Sequence, residues 1–349
     1  MILPSTLEDR LIERIEAHGP IPVSRFMAEA NAEYYATHDP FGKRGDFITA
    51  PEISQMFGEL IGACLADVWD RKHRPHAHYV ELGPGRGTLA IDALRSTERA
   101  GLQPDIHFVE TSPILRHIQQ ENFPEAQFHD TIRSLPREGP LLIVANEFFD
   151  ALPVQQFVKT LMGWRELMVT YGPDGFTSIP GPESHDHDIP PSIRFARMGS
   201  TYEHCPAAIE IVRRLCGRLM RQGGMLLAID YGYYDHPAGD TLQAVHTHAY
   251  ADPFARPGHS DLTAHVDFMS LEEIGAARGV QVFGPAFQGD WLISLGIDAR
   301  ADALSRATPS RAAEIAAAHA RLTRAEQMGT LFKVMAFVSP HWPEPAGFE

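Results

Sequence analysis

The chain has 349 residues, with 30 Lys and Arg against 45 Asp and Glu, for a formal net charge of −15. That length holds one elaborated domain or two, and an acidic surface disfavours nucleic acid as the main partner, though not a local basic groove. No uncharged apolar run approaches the roughly 18 residues needed to span a bilayer.

The first residues, "MILPSTLEDRLIERIEAHG", are rich in acids and lack the layout of a signal or transit peptide. Cys64, Cys205 and Cys216 share no CxxC spacing and read as reduced core thiols of a cytoplasmic protein. Residues 1–77 read as an N-terminal helical region. "STLEDRLIERIEAHG" begins at a Ser/Thr cap and stops at Gly19, and "VSRFMAEANAEYYATH" repeats the helical pattern. After the loop "DPFGKRGDFI", "TAPEISQMFGELIGACLADVWD" reads as one long amphipathic helix, with Thr49 and Glu52 at capping-box spacing.

From residue 78 to 349 short apolar strands alternate with helical patterns. The strands are "HYVELG", "DIHFVE" (105–110), a short "AQFH" (126–129), "LLIVANEF" (141–148) and "GMLLAIDYG" (224–232). Such alternation predicts a parallel sheet with helices on both faces. Insertions are expected at about 153–200, 240–267 and 289–329. The first looks like an antiparallel hairpin turning at "GPDG". A helix at 206–221 precedes the strand at 224, "SRAAEIAAAHARLTRAEQ" reads as a helix covering the sheet edge, and "TLFKVMAFV" (330–338) as a last strand.

"YVELGPGRGTLAIDAL" places Gly83, Gly85 and Gly87 between a strand and a helix. A helix N-terminus there points at a ligand, and glycines let that ligand approach the backbone. The dinucleotide fingerprint needs a third glycine at position 88, which is Thr88. The G-x-G-x-G spacing, preceded by Glu81, suits S-adenosylmethionine better: an acid attracts its ammonium and sulfonium, and loop amides hold its carboxylate. Glu110, 23 residues beyond Gly87, can accept both ribose hydroxyls. Asp130 can accept from the adenine amino group. An NAD-like ligand and a purely structural turn remain the alternatives.

Five stretches, "GDFITAPEISQMFGE", "ELGPGRGTL", "HFVETSP", "ANEFFDALPV" and "DLTAHVDF", together resemble the MidA family. These are class I S-adenosylmethionine-dependent methyltransferases, related to the mitochondrial arginine methyltransferase that assists respiratory complex I assembly. The resemblance runs from about residue 20 to residue 338. It implies an α/β fold with a Rossmann-like seven-stranded sheet, an N-terminal helical region, and inserted hairpin and lid segments. It also implies S-adenosyl-L-methionine as cofactor and an arginine-bearing protein partner, a complex I subunit among them. Gly45 and Asp46 would lie in a loop that closes over the cofactor. The chain resembles a bacterial, cytoplasmic member.

In "ANEFFDALPV", Asn146, Glu147 and Asp150 cluster after a strand, at the sheet edge where such folds place their ligands. Carboxylates can grip a planar guanidinium with bidentate geometry and draw its charge toward the gripped nitrogens. Glu147 and Asp150 are the candidates for that grip; capping of the turn "DALP" is the competing role. The histidines in "HDHD" (185–188) and in the segment 243–267 read as loop and lid residues, so no metal is expected. Asp261, Thr263 and Asp267 are lid candidates for polar substrate contacts.

Four functions remain open. They are protein-arginine methylation, methylation of a small molecule, an assembly chaperone that binds S-adenosylmethionine without turnover, and NAD-dependent oxidoreduction, against which Thr88 argues.

Overall fold

The computed structural model describes residues 6–37, 49–235, 239–246 and 249–348. Helix α1 (Leu7–His18) opens on a reciprocal cap: Thr6 Oγ1 accepts the Asp9 N–H at 3.1 Å, and Asp9 Oδ2 accepts the Thr6 N–H at 2.9 Å. It stops at Gly19, as the sequence predicts. Strand β1 (Ile21–Pro22) leads into α2 (Val23–Thr37), whose buried face carries Phe26, Met27, Ala30 and Tyr34.

The long helix expected after Thr49 is two helices, α3 (Ala50–Ile53) and α4 (Gln55–Arg71). Ser54 adopts an extended backbone, and its hydroxyl accepts the Met56 N–H at 3.2 Å, restarting the chain as a new N-cap. Thr49 makes no side-chain cap bond. Glu52 instead accepts the Thr88 hydroxyl at 2.5 Å. Its long-range partner displaces the local one.

The main sheet follows. In chain order its elements are β2 (His78–Leu82), α5 (Thr88–Arg99), β3 (Asp105–Val109), α6 (Pro113–Asn122), β4 (Gln127–His129) and β5 (Leu141–Asn146). An inserted meander comprises β6 (Gln155–Thr160), β7 (Gly163–Gly172) and β8 (Gly175–Pro180), then β9 (Thr201–His204). Helix α7 (Pro206–Gln222) returns to β10 (Gly224–Tyr233). A small sheet of β11 (Gln243–His246), β12 (Ala249–Ala251) and β13 (Asp261–Thr263) precedes β14 (Val266–Asp267) and α8 (Phe268–Arg278). The chain ends with β15 (Gln281–Phe287), α9 (Gln288–Ser294), α10 (Ile297–Ala307), α11 (Ala312–Thr323), a π turn at 325–329, and β16 (Phe332–Val338).

Strand order in the main sheet is β15-β16-β10-β5-β2-β3-β4, with the two-residue β14 beside β10. Strands β2, β3, β4, β5 and β10 are parallel. Against the expectation of a wholly parallel sheet, β16 runs antiparallel to both β10 and β15. Alternation along the strands sends Tyr79, Leu142, Val144, Leu227 and Ile229 to one core, and Val80, Ile143, Leu226 and Ala228 to the other. Helices α4, α5 and α9 cover the first, and α7 and α8 the second.

The expected hairpin is larger than a hairpin. "GPDG" does turn β7 into β8, but β6 and β9 extend the unit, and β1 pairs with β7 to make five strands. Through β1 the described N-terminal residues are tied to the inserted sheet. The helix expected across 310–327 ends at Thr323, because Arg324 is extended, and it packs beside α10. No helix among the described residues is long and apolar enough to cross a membrane.

Helix α4 crosses α5 at Gly58 and Gly62. A Cβ at Gly62 would sit 2.2 Å from the Ala93 carbonyl oxygen, and one at Gly58 would sit 2.7 Å from Asp92 Cβ. Buried Glu59 between them takes Arg300 of α10 in a fork at 2.7 and 2.8 Å, and Arg95 of α5 at 3.2 Å. Because the Gly62 neighbour is backbone, nothing there can rotate away. Gly62→Ala is expected to destabilise the fold by on the order of 1–3 kcal/mol. Urea denaturation checks this, and a midpoint equal to wild type would mean that the helices separate freely.

Candidate active site

The site is built on the carboxyl ends of β2, β3, β5 and β10. A cavity of about 430 Å³ opens there, walled by Gly83, Gly85, Glu110, Thr111, Ser112, Glu147 and Phe148, with Asn31 and Tyr35 of α2 above. The loop after β2 needs its glycines: Gly83 (φ 60°) and Gly87 (φ 79°) both lie in the left-handed region. A Cβ on Gly83 would meet the Phe148 ring at 3.0 Å, and one on Gly87 the Phe123 ring at 2.8 Å. Gly87 caps α5 without a side chain, which leaves the helix N-terminus bare toward the loop.

Glu110 lies where the sequence places it. Its Oε1 accepts the N–H groups of Thr111 and Ser112, each at 2.8 Å. Its Oε2 accepts Gln119 Nε2 at a longer 3.3 Å, and the same amide donates to the Gly85 carbonyl at 2.6 Å. Gln119 thus fastens the glycine loop to the acid at the end of β3. Burial pushes the Glu110 carboxyl up, against the pull of those hydrogen bonds. Glu81 is buried beneath the loop, and its Oε2 accepts the Tyr79 hydroxyl at 2.6 Å. Burial raises it to about 8.

Asp130 departs from the expectation. Its carboxylate is 80% exposed and paired with Arg116 at 2.5 Å, outside the cavity wall. The nearby cation holds it away from the site. Gly45 and Asp46 lie outside the described residues.

The three residues of "ANEFFD" separate into layers. Glu147 lines the cavity, on a left-handed backbone (φ 48°) that turns the chain off β5. Its Oε1 accepts the Ala50 N–H and Asn146 Nδ2, each at 3.2 Å. Asn146 props Glu147. Asp150 stands behind the wall, buried, with the Tyr231 hydroxyl donating to it. Burial, then the charge of Asp150, raises Glu147 to about 7, and burial raises Asp150 to about 6.

Sequence reasoning missed Asp230. Fully buried in β10, one residue past its pairing with β5, its Oδ2 accepts three successive backbone N–H groups, from Phe148, Phe149 and Asp150, at 3.2, 3.0 and 3.2 Å. Its Oδ1 accepts the Tyr231 N–H at 3.0 Å. Burial, then Asp150 and Glu147, holds it well above the usual carboxylate range. The signal was present: an acid closing the apolar run "GMLLAIDYG", as Glu81 and Glu110 close theirs.

Asn31 was also missed. Its Nδ2 donates to the carbonyls of Ala151 (3.0 Å) and Leu262 (2.8 Å), and its Oδ1 accepts the Leu262 N–H at 2.9 Å. A polar residue on the apolar face of α2 marks it. The lid acids serve structure. Asp261 accepts the Tyr35 hydroxyl at 2.8 Å, and Asp267 caps α8 through Ser270 at 3.1 Å. Neither they nor Thr263 line the cavity.

The arrangement matches known proteins. Residues 60–286 match the S-adenosyl-L-methionine-dependent methyltransferase family, and the chain belongs to it. It is 35% identical to the mitochondrial "Protein arginine methyltransferase NDUFAF7 homolog" of Drosophila melanogaster, over 95% of this chain and 84% of that one. Identity to the human mitochondrial protein arginine methyltransferase NDUFAF7 is 33%, over 95% of this chain and 82% of that one. A crystal structure from Burkholderia thailandensis, bound to S-adenosyl-homocysteine, superposes with a TM-score of 0.84 at 27% identity, over 98% of this chain and 93% of that one.

This protein is therefore a methyltransferase that uses S-adenosyl-L-methionine. Its own residues fit that group. The cavity is lined by Glu110, an acid that can accept a diol, and by Gly83 and Gly85, whose bare backbone a ligand can approach.

The raised acids make a linkage prediction. Glu81 and Glu147 hold protons more tightly folded than unfolded, so their contribution is full at low pH and lost as pH rises toward about 8 and about 7. His107, lowered to about 4 by burial, acts oppositely, but only below its ordinary value of 6.5. Between about pH 6.5 and 8 the thermal midpoint should fall with pH, and fall less in Glu81→Gln. Equal slopes in the two proteins would show that Glu81 is already ionised in the fold.

Proposed function

We propose that the protein methylates arginine on a partner protein, with Glu147 gripping the acceptor. The carrying observation is the Glu147 carboxylate. One oxygen is fixed by Ala50 and Asn146, and the other makes no hydrogen bond among the described residues of the cavity wall.

A buried carboxyl raised to about 7 by burial and by Asp150 is destabilised as an anion, and a guanidinium beside it removes that penalty. When bound, S-adenosyl-L-methionine supplies an electrophilic methyl on its sulfonium. The free Glu147 oxygen would accept two guanidinium N–H groups, draw charge toward them, and leave the third nitrogen with lone-pair character toward the methyl. As the N–CH3 bond forms and the S–CH3 bond breaks, the proton leaving nitrogen passes to Glu147. Asn146, by holding Oε1, fixes the carboxylate plane.

Glu81, Gly83, Gly85, Gly87 and Glu110 hold the cofactor in this reading. Gly45 and Asp46 would close over it. The names of the relatives support a protein acceptor, and the motif resemblance extends it to a subunit of the respiratory complex I type. Three free cysteines suit the reducing cytoplasm.

The test is transfer of labelled methyl from S-adenosyl-L-methionine into lysate from cells lacking this gene. Wild type should label one protein band, and mass spectrometry should find methylarginine there. Glu147→Gln should reduce turnover by about 100-fold or more while still binding S-adenosyl-homocysteine. Label confined to small molecules would replace the protein acceptor. No label, with binding intact, would leave a cofactor-binding chaperone.

The pH profile gives an independent check. Glu147 must be ionised to hold the acceptor, so kcat/KM should rise through about pH 7 and level off above it. A profile flat between pH 5.5 and about 8 would remove Glu147 from the acceptor step.

A further inference from the structure

Away from the cavity, four histidines form a strip across β2, β3 and β4. His78 opens β2 directly beside Asp105, the first residue of β3. His78 Nδ1 lies 3.5 Å from Asp105 Oδ2, and His76 Nε2 lies 3.6 Å from the same oxygen. All three candidate ligand atoms are within 4.8 Å of one another. A tetrahedral zinc ion with bonds of about 2.0–2.1 Å sets its ligand atoms about 3.3 Å apart. The two histidine–carboxylate separations are within a few tenths of an ångström of that value, and His76 and Asp105 are exposed side chains that can move to set the third.

The proton on His78 is placed for this. Its Nε2 lies 3.0 Å from the Glu138 carbonyl oxygen, which can only accept. Nε2 therefore carries the hydrogen and Nδ1 keeps its lone pair. Metal-binding histidines use the same device, a backbone carbonyl fixing the far nitrogen.

That lone pair is within reach of a row of side chains and can accept a hydrogen from it. His107 Nε2 lies 3.2 Å from His78 Nδ1, His107 Nδ1 lies 3.0 Å from His129 Nε2, and His129 Nδ1 lies 2.9 Å from Ser134 Oγ. With His78 Nδ1 accepting, every hydrogen in the row points toward His78. The row can also run the other way. The Ser134 hydroxyl then donates to the Thr131 carbonyl at 3.1 Å, His129 Nδ1 donates to Ser134, and His107 Nδ1 donates to His129. One proton leaves at His107 Nε2 and one enters at exposed Ser134, so net charge is unchanged. Each group in the row keeps a partner, and the His107 Nε2 lone pair now faces the three ligands.

We propose that His76, His78 and Asp105 form a binding site for a divalent cation of the zinc class, whose occupancy reverses the row from His107 to Ser134. Two imidazoles and one carboxylate suit zinc or cobalt over calcium or magnesium, which prefer oxygen shells. The site is separate from methyl transfer and lies at the opposite end of β2 from the glycine loop.

The experiment titrates tag-free, metal-stripped protein with Zn2+ by calorimetry and with Co2+ by visible absorption. One ion per chain is expected, with an intense tetrahedral-type cobalt spectrum. His76→Ala and Asp105→Asn, at exposed positions, should each weaken binding at least about tenfold with circular dichroism unchanged. Imidazole 15N spectra should show the bound hydrogen of His107 and His129 moving from Nε2 to Nδ1 as Zn2+ is added. Absence of saturable binding overturns the site. Undiminished affinity in both variants also overturns it and sends the search to the His185–Asp188 loop. Zinc binding that leaves both tautomers unchanged overturns the reversal.

Discussion

A single buried carboxylate organises the methyl-transfer edge of this protein. Asp230 takes the three N–H groups of Phe148, Phe149 and Asp150 that the turn off β5 leaves without partners. Unpaired, each buried donor would cost about 1–3 kcal/mol. The left-handed Glu147 just before them is a strained conformation for a side-chain-bearing residue. Asp230 holds the turn from the next strand and so keeps Glu147 pointed into the cavity. Its position on β10 follows from pairing: Ile229, its neighbour, is in register with Asn146 of β5.

That anchor has an electrostatic consequence. Asp230, Asp150 and Glu147 crowd together in a region where burial already disfavours charge, and each raises or is raised by the others. The hydrogen bonds from four backbone amides only partly offset that penalty at Asp230, and Glu147, raised by burial and by Asp150, is the one of the three that meets the cavity. Glu147 then ionises near neutrality rather than near the usual carboxylate range. A cation entering beside it is stabilised by an anion that has lost its water. The roof completes the enclosure. Asn31 ties α2 to Ala151 and Leu262, and Tyr35 is held by Asp261, so the N-terminal helices belong to the site.

What was legible in the sequence was local. Glu81, Gly83, Gly85 and Gly87 follow one strand in a fixed pattern, and Glu110 and Glu147 close two others. Strand ends are visible as apolar runs that stop. What escaped depended on partners far along the chain. Asp230 acts on residues about eighty positions earlier, and Asn31 on a strand more than two hundred later. Asp130 had the right residue type at a strand end, but Arg116 turns it to solvent. Asp150 was read beside Glu147 because the two are close in sequence. Its turn, pinned from behind, sends the two carboxylates to opposite sides of the wall. The break at Ser54 was written as a hydroxyl in a helical pattern, and propensity alone does not separate that from a tolerated serine.

The residue that separates this glycine loop from a dinucleotide fingerprint has its own use. Thr88 stands where the third glycine would be, as the first residue of α5, and its hydroxyl donates to Glu52 of α3 at 2.5 Å. A carboxylate thereby sits at the first turn of the helix whose amino end faces the loop. The helix dipole favours it there. The contact joins α3 to α5 just after the glycine loop, so the loop keeps the shared strand-turn-helix geometry while the position of the third glycine serves a contact between two helices.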